Sequence, residues 1–316
     1  MDQPVFLALA PVVLLVAAGW VAARRSWLTA AGVTELSNLV FTLLAPAMLF
    51  RAMSRVRVQT LDFTPAVLYF AACALLATAA LAWRGLSRRT VVRVLTACFG
   101  NTVMIGIPLI TLAFGEAGLV HLLMLISVHS LVLLTAATVL FELAVMREAR
   151  ARGELPPRLA PTLLMGLRNA IVHPVPLPIL LGLVFAQTGW RLPAVVDQPL
   201  GLLGNAFGPL ALVLVGASLA NTRIGEQLRA ALWLSAAKNL LLPALLALLY
   251  LATGARGLAA AVMITTAALP VGANAFLFAQ RYAVDEDLTT ASMAVSTLLA
   301  LFTLPLVMLL VRGGML

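Results

Sequence analysis

The chain has 316 residues, of which 62% are hydrophobic and only 10% charged, and its mean hydropathy is +1.05. Soluble domains carry a charge on about a quarter of their residues, so this composition excludes a soluble globular protein and predicts an all-α polytopic membrane protein. The net charge of +9 is concentrated in arginines between apolar segments. We therefore assign it to membrane topology and expect the lipid bilayer, not a nucleic acid, as the partner of this charge.

Apolar segments of about twenty residues recur along the chain between charged or turn-rich loops, and we count ten of them. The first, PVFLALAPVVLLVAAGWVAARR, follows an acidic residue and is long enough to span a bilayer, so we predict a retained span and not a cleaved signal peptide. The predicted spans are 4–23, 36–53, 63–82, 91–113, 117–142, 169–187, 199–220, 230–252, 257–279 and 288–311.

The distribution of arginine predicts the orientation of these spans. With the N-terminus outside, roughly fourteen arginines fall in inner loops and six in outer ones, which by the positive-inside rule places both termini outside the membrane. The basic outer stretch FRAMSRVRV runs against this assignment. The longest loop, at 148–167, is rich in Pro and Arg and is predicted to be a cytoplasmic linker.

This linker divides the chain into two halves, 1–147 and 168–316, of five predicted spans each. Because five is odd, the second half enters the membrane from the opposite side, and the halves are predicted to be inverted repeats. LLAPAMLF resembles AFGPLALV, which pairs Pro46 with Pro209. TACFGNTVMIGIP resembles TTAALPVGANAFL, which pairs two spans that each contain Pro, Gly and Asn.

A single proline or glycine in a membrane helix often reflects packing alone, and this alternative stands for Pro46 and Pro209. Paired breaks in inverted halves instead predict a transport site. Interrupted helices present N–H groups that suit an anion and carbonyls that suit a cation. The amides of Asn101 and Asn274 add donors for a carboxylate.

The predicted substrate site lies at these two breaks. Along the chain no Arg or Lys is near either asparagine, and we expect Lys238 to lie near the inner end of the eighth span with its ammonium at the interface. The predicted substrate-binding residues are Asn101, Thr102, Gly106, Pro108, Pro270, Gly272 and Asn274.

Coupling to an ion is left open among protons, sodium and no ion. His129, near the middle of the fifth span, is a candidate for proton coupling, although a neutral histidine hydrogen-bonded within the bundle is the alternative. Sodium would use hydroxyls and carbonyls at the breaks, with Thr102, Thr265 and Thr266 as candidate ligands. Glu142 is expected to be a solvated or paired charge. No cofactor is expected, and Cys73 and Cys98 have neither metal nor disulfide spacing, so we predict no metal site.

Two long motifs carry a family resemblance. GNTVMIGIPLITLAFGEAG resembles the fourth-span signature of the auxin efflux carrier family, which includes plant PIN carriers and bacterial malonate and malate permeases. AALPVGANAFLFAQRYAVD resembles the ninth-span signature, LLAPAMLF the second-span pattern and GPLALVLVGASLA the seventh. The resemblance covers essentially the whole chain, with the motifs in the family's order and spacing.

The resemblance implies ten helices in two inverted repeats, similar to the bile-acid/sodium symporter fold. It implies a scaffold of spans 1, 2, 6 and 7 that is often dimeric, and a mobile transport domain of spans 3–5 and 8–10 that works by an elevator motion. It also implies that Asn101 contacts the carboxylate of the substrate, with Asn274 in the matching place. The sequence departs from the plant pattern at Gly100, where plant members commonly have proline, and it lacks their long cytoplasmic loop.

These observations favour a secondary or facilitative carrier of small organic acids in a bacterial inner membrane. An anion channel and a membrane-embedded sensor are the alternatives, since broken helices also line filters. No Walker sequence is present, so the sequence does not predict ATP-driven export or an enzyme.

Overall fold

The computed structural model describes residues 3–56, 62–152, 175–220, 222 and 225–312, and these residues are predominantly helical. Six of their helical segments are long and apolar enough to cross a membrane, which confirms a polytopic membrane protein. The count of ten spans and the inverted repeat stay predictions. The six segments are Ala30–Met53, Thr64–Arg84, Thr102–Ala151, Ala194–Ala220, Gly225–Thr253 and Glu286–Val311, and shorter apolar helices cover Leu9–Arg24, Pro176–Gln187 and Leu258–Ala267.

The described residues form helices α1 to α13 and, among these residues, no strand is longer than one bridged residue pair. The first six are α1 (Gln3–Arg24), α2 (Ala30–Leu39), α3 (Ala45–Met53), α4 (Thr64–Arg84), α5 (Arg88–Cys98) and α6 (Ile107–Ala151). The others are α7 (Pro176–Gln187), α8 (Ala194–Ala220), α9 (Leu228–Ala236), α10 (Leu242–Thr253), α11 (Leu258–Ala267), α12 (Ala273–Tyr282) and α13 (Glu286–Arg312).

Several predicted boundaries were wrong. Helix α5 begins at Arg88, three positions before the predicted span, because Ser87 caps its first turn by accepting a hydrogen bond from the N–H of Thr90 at 3.2 Å. Helix α6 continues to Ala151, nine residues beyond the predicted end at 142. Its kink at Gly115, which has a φ of 67°, lies between the predicted fourth and fifth spans. Most of the predicted linker, 153–167, and the start of the sixth span lie outside the described residues.

In the part of the chain that the structure describes, three helices have proline as their second residue and follow directly on a π-helical turn. The turns are Val40–Leu44, Thr102–Gly106 and Ala237–Leu241, and they precede Pro46, Pro108 and Pro243 in the first turn of α3, α6 and α10. Proline lacks an N–H and its ring displaces the carbonyl one turn earlier, and the wider π turn accommodates both effects. Pro209, in contrast, lies inside the continuous helix α8, so the paired prolines Pro46 and Pro209 have different backbone surroundings.

Glycines bring α1 and α8 into direct backbone contact. A Cβ added to Gly19 would lie 1.9 Å from the carbonyl oxygen of Val213, and one added to Gly216 would lie 1.8 Å from that of Val16. Small residues allow membrane helices to approach this closely. Helix α7 approaches α3 in the same way, since a Cβ on Gly182 would lie 2.7 Å from the carbonyl oxygen of Phe50.

Ion pairs join helix ends that the arginine distribution assigns to the same side of the membrane. Arg51 and Arg55, after the second predicted span, both bind Asp197 at the start of α8, at 2.9 and 2.8 Å. On the predicted inner side, Arg88 binds Glu148 at 2.8 Å and Arg93 binds Asp285 at 2.7 Å. The pairing therefore agrees with the predicted division of the loops into two sides.

Replacing Gly216 by alanine should separate α1 from α8, because the new methyl group would meet backbone atoms that cannot rotate away. We expect a loss of about 1–3 kcal/mol in the free energy of unfolding, measured as a lower melting temperature of the protein in detergent. Gly32→Ala is the control, since its Cβ would meet only the flexible side chain of Leu28, at 3.3 Å, and the Oγ1 of Thr29. Equal melting temperatures for the two variants would contradict the close contact.

Candidate functional site

Two helix breaks lie side by side in the interior. The first separates α5, which ends at Cys98, from the π turn that begins at Thr102, and the second separates α11, which ends at Ala267, from α12, which begins at Ala273. Phe99 and Gly272 have extended backbone conformations. The breaks therefore fall in the segments that the paired Pro, Gly and Asn residues predicted.

Backbone hydrogen bonds connect the two breaks in an antiparallel bridge. The N–H of Asn101 donates to the carbonyl of Pro270 at 2.8 Å, and the N–H of Gly272 donates to the carbonyl of Phe99 at 2.9 Å. The N–H of Val271 donates to the Oγ of Ser296, from α13, at 3.0 Å. Non-helical backbone at membrane depth needs such partners, so each break satisfies the other.

Glycine is required where the breaks meet. A Cβ on Gly272 would lie 2.7 Å from the carbonyl oxygen of Gly100, which is backbone and cannot move aside. A Cβ on Gly106 would lie 2.8 Å from Cδ1 of Leu269, so the π turn after the first break also contacts the second break. Gly106, Pro270 and Gly272 therefore lie at the two breaks, and their predicted role in substrate binding stays a prediction.

Asn101 caps the half-helix that follows the first break. Its side-chain oxygen accepts a hydrogen bond from the N–H of Met104 at 3.2 Å, and its backbone carbonyl accepts one from the N–H of Gly106 at 3.0 Å. Its side-chain nitrogen makes no hydrogen bond within the part of the chain that the structure describes. The cap thus fixes the amide while leaving its N–H donors for another group. Thr102, next in the chain, is buried.

Asn274 occupies the first turn of α12, after the second break. Its side-chain nitrogen is 3.4 Å from the Oγ of Ser130, a residue of α6. Both asparagines are half-buried. The two asparagines therefore occupy comparable positions, each just after a break, but only Asn101 acts as a helix cap.

Pro108 lies apart from the bridge, against α8. Its Cβ lies 3.4 Å from the position that a Cβ added to Gly208 would take. It lines an open cavity of about 620 Å³ between α1, α3, α6 and α8. Polar and charged side chains at this cavity are Arg51, Arg55, Thr111, Glu116 and Asn205. If Pro108 contacts the substrate as predicted, it does so in this cavity and not at the bridged segments.

The predicted ion-coupling residues are all buried near the breaks. His129 is 1% exposed, its ring lies 4.5 Å from the ring of Phe99, and its Nε2 is 3.4 Å from the hydroxyl of Tyr69. Thr266 donates to the carbonyl of Val262 at 2.7 Å. The hydroxyl of Thr265 has no hydrogen-bond partner in the described residues.

The expectation for Lys238 was wrong. Its side chain is completely buried, and its ammonium donates a hydrogen bond to the carbonyl of Ala267, the last residue of α11. A Cβ on Gly100 would lie 3.4 Å from its Nζ. The site therefore contains a cation, although none was predicted. A lysine inside an apolar segment was the signal that should have found it.

Glu142 was expected to be a solvated or paired charge, and it is 8% exposed and therefore buried, so only the solvated alternative is wrong. Sequence reasoning also missed Ser130 and Ser296, which hold the breaks in place. A serine in a membrane helix has many neutral roles, and nothing in its local sequence singles out these two.

Comparison with known proteins indicates the class to which this chain belongs. The family model described as "Membrane transport protein" matches residues 4–308. A protein of Rhizobium meliloti (strain 1021) named "Putative malonate transporter" is 25% identical over 290 residues, which covers 88% of this chain and 87% of that protein.

The fold and the family model define a membrane transport protein. The chain belongs to the Membrane transport protein family, the auxin efflux carrier family that its fourth- and ninth-span motifs resemble.

Replacing Gly272 by alanine should open the bridge between the breaks, because the methyl group would overlap the carbonyl of Gly100. In a Cys73→Ala background, we expect maleimide labelling of the buried Cys98, at the end of α5, to become faster, and the melting temperature to fall. Gly32→Ala in the same background is the control. Unchanged labelling in Gly272→Ala would contradict a tight contact between the breaks.

Proposed function

We propose that this protein is a secondary or facilitative carrier of small organic anions, with the substrate carboxylate bound at the paired breaks. The observation that carries the proposal is the side-chain nitrogen of Asn101, which is held by a helix cap and has no partner in the described residues. A carboxylate accepts such donors readily, and the N-terminal end of the following half-helix adds a favourable dipole. Malonate is the first substrate to test, since a relative carries that substrate in its name.

The proposed architecture is two inverted repeats of five helices, 1–147 and 168–316, with broken helices that cross at the midplane. In this proposal spans 1, 2, 6 and 7 form a scaffold and spans 3–5 and 8–10 form a transport domain. One hydrophobic cluster joins α3, α7 and α8 with the first part of α6 and one residue of α11, whereas the other joins α4, α5 and α10 to α13 with parts of α1, α6 and α8, so the clusters do not follow this division. An elevator motion of the transport domain against the scaffold would carry the substrate across the membrane, without disturbing the bridge between the breaks.

The remaining parts of the proposal concern the setting of the carrier. We place it in the bacterial inner membrane with both termini outside, as a homodimer through the scaffold helices, spans 1, 2, 6 and 7. Coupling to Na⁺ or H⁺ would involve the buried groups His129, Thr265 and Thr266. An anion channel or a sensor is the alternative function, and saturable exchange separates a carrier from both.

Counterflow of labelled malonate into proteoliposomes tests the function. A carrier exchanges external label for internal malonate and saturates, whereas a channel does not accumulate label against the gradient. A sensor would bind malonate without exchanging it, and the absence of both binding and exchange would remove malonate as substrate.

Substitution of Asn101 separates its two roles. In Asn101→Asp the cap oxygen is retained but the donor is replaced by a negative charge, so we expect a normal melting temperature with malonate affinity reduced at least about tenfold, as expected for a charge-assisted hydrogen bond worth about 1.5–3 kcal/mol. Asn101→Ala should lose both affinity and about 1 kcal/mol of stability.

Asn274→Ala should also weaken malonate binding, and the exposed Asn38→Ala is the matched control for loss of an amide. If both Asn101→Asp and Asn274→Ala bound malonate as tightly as the wild type, the assignment of the substrate site would be wrong. The carrier function would still be tested by the counterflow experiment.

A further inference from the structure

Lys238 is a buried cation at the point where the two breaks meet. It lies in the π turn Ala237–Leu241, and its side chain has no exposed surface. Its ammonium binds the carbonyl at the end of α11 and lies beside Gly100, the residue before Asn101. The lysine therefore contacts the second break and approaches the first.

No carboxylate compensates this charge within the described ranges. The ion pairs there involve Arg51, Arg55, Arg88, Arg89 and Arg93, and none includes Lys238. The titratable side chains that interact with it electrostatically are Cys73, Cys98 and His129, none of which is a carboxylate. Burying an unpaired ammonium is costly, and the partial negative charge of one helix end offsets only part of that cost. The site is therefore short of an anion.

We propose that Lys238 is the fixed cation of the transport site. Its charge complements the carboxylate bound at Asn101, and its ammonium occupies the carbonyl end of α11, where a coupling metal cation would otherwise bind. This inference rests on the proposed carrier function and goes beyond it, because it makes substrate binding independent of Na⁺. The carbonyl of Ala267, which ends α11, is already bound by the lysine.

The same contact explains why glycine precedes Asn101. The bridge uses the N–H groups of Asn101 and Gly272 and not that of Gly100, so proline at 100 would lose no bridging hydrogen bond. A proline ring would instead extend from a Cβ that is already 3.4 Å from Nζ and 3.5 Å from Cε of Lys238. A Cβ alone would make an ordinary van der Waals contact with the lysine, and Gly100 leaves that side of the ammonium without a side-chain neighbour.

The test compares Lys238→Met, which keeps the length of the side chain without charge, with Lys238→Arg, which keeps the charge. Leu240→Met, a change of a partly exposed neighbour in the same π turn, is the control. Binding of malonate is measured as the rise in melting temperature of the purified protein, in sodium chloride and in choline chloride at one pH.

We expect the wild-type protein and Leu240→Met to bind malonate equally in sodium and choline. Lys238→Met should lose at least tenfold in affinity while its ligand-free melting temperature stays the same or rises, because a buried unpaired charge has been removed. Lys238→Arg should bind better than Lys238→Met. If the lysine had only a structural role, Lys238→Met would instead lower the ligand-free melting temperature and leave the affinity for malonate unchanged.

Three results would overturn the inference, and each has a different meaning. Wild-type affinity in Lys238→Met removes the lysine from the site. A rise in the ligand-free melting temperature of the wild type with Na⁺, or malonate binding only in sodium, shows that a metal cation binds after all. No response of the wild type to malonate in either salt refutes the proposed substrate and the charge complementarity built on it. If Lys238→Met does not fold, two measurements still test the inference. These are malonate binding to the wild type in the two salts and malonate binding to Lys238→Arg.

Discussion

The structure depends on one constraint, which is that backbone N–H and carbonyl groups inside a bilayer must find partners. Two segments of this chain leave the helical conformation in the interior, and each supplies the hydrogen bonds that the other lacks. Asn101 donates to Pro270 and Gly272 donates to Phe99. Each break therefore stabilises the other, and Ser296 completes the hydrogen bonding of the second.

This mutual dependence restricts the residues around the bridge. Gly272 must lack a side chain because the carbonyl of Gly100 occupies the space. Ser296 provides a side-chain partner for Val271, which lies in the bridge but whose N–H points away from the first break. Asn101 has a similar role at the start of the next half-helix, where its side-chain oxygen accepts a hydrogen bond from the N–H of Met104. The polar groups of the bridge are thus positioned by backbone geometry and by the short side chains of Ser296 and Asn101, and the long side chain of Lys238 reaches them from another helix.

Much of this arrangement could be predicted from the sequence, because Gly, Pro and Asn are unusual together in an apolar segment and occur together twice. The membrane class and the positions of both breaks follow from composition and from these residues. The depth and direction of single side chains do not follow, since segments that are apolar all round give no periodic signal of which face is buried. Lys238 shows this limit. It is distant from Asn101 in the sequence, and nothing in the sequence indicates that its π turn places it beside the first break.

The π turns have a further consequence for the site. A π turn adds one residue to a helical turn and rotates the residues after it relative to those before it. Two of the three turns carry residues of the site, since Thr102–Gly106 follows Asn101 and Ala237–Leu241 contains Lys238. In both cases a proline follows in the first turn of the next helix and makes the wider turn favourable. The sequence thus uses the same local device to place an amide donor and a cation beside the same pair of breaks, and this placement makes an anion the complementary ligand.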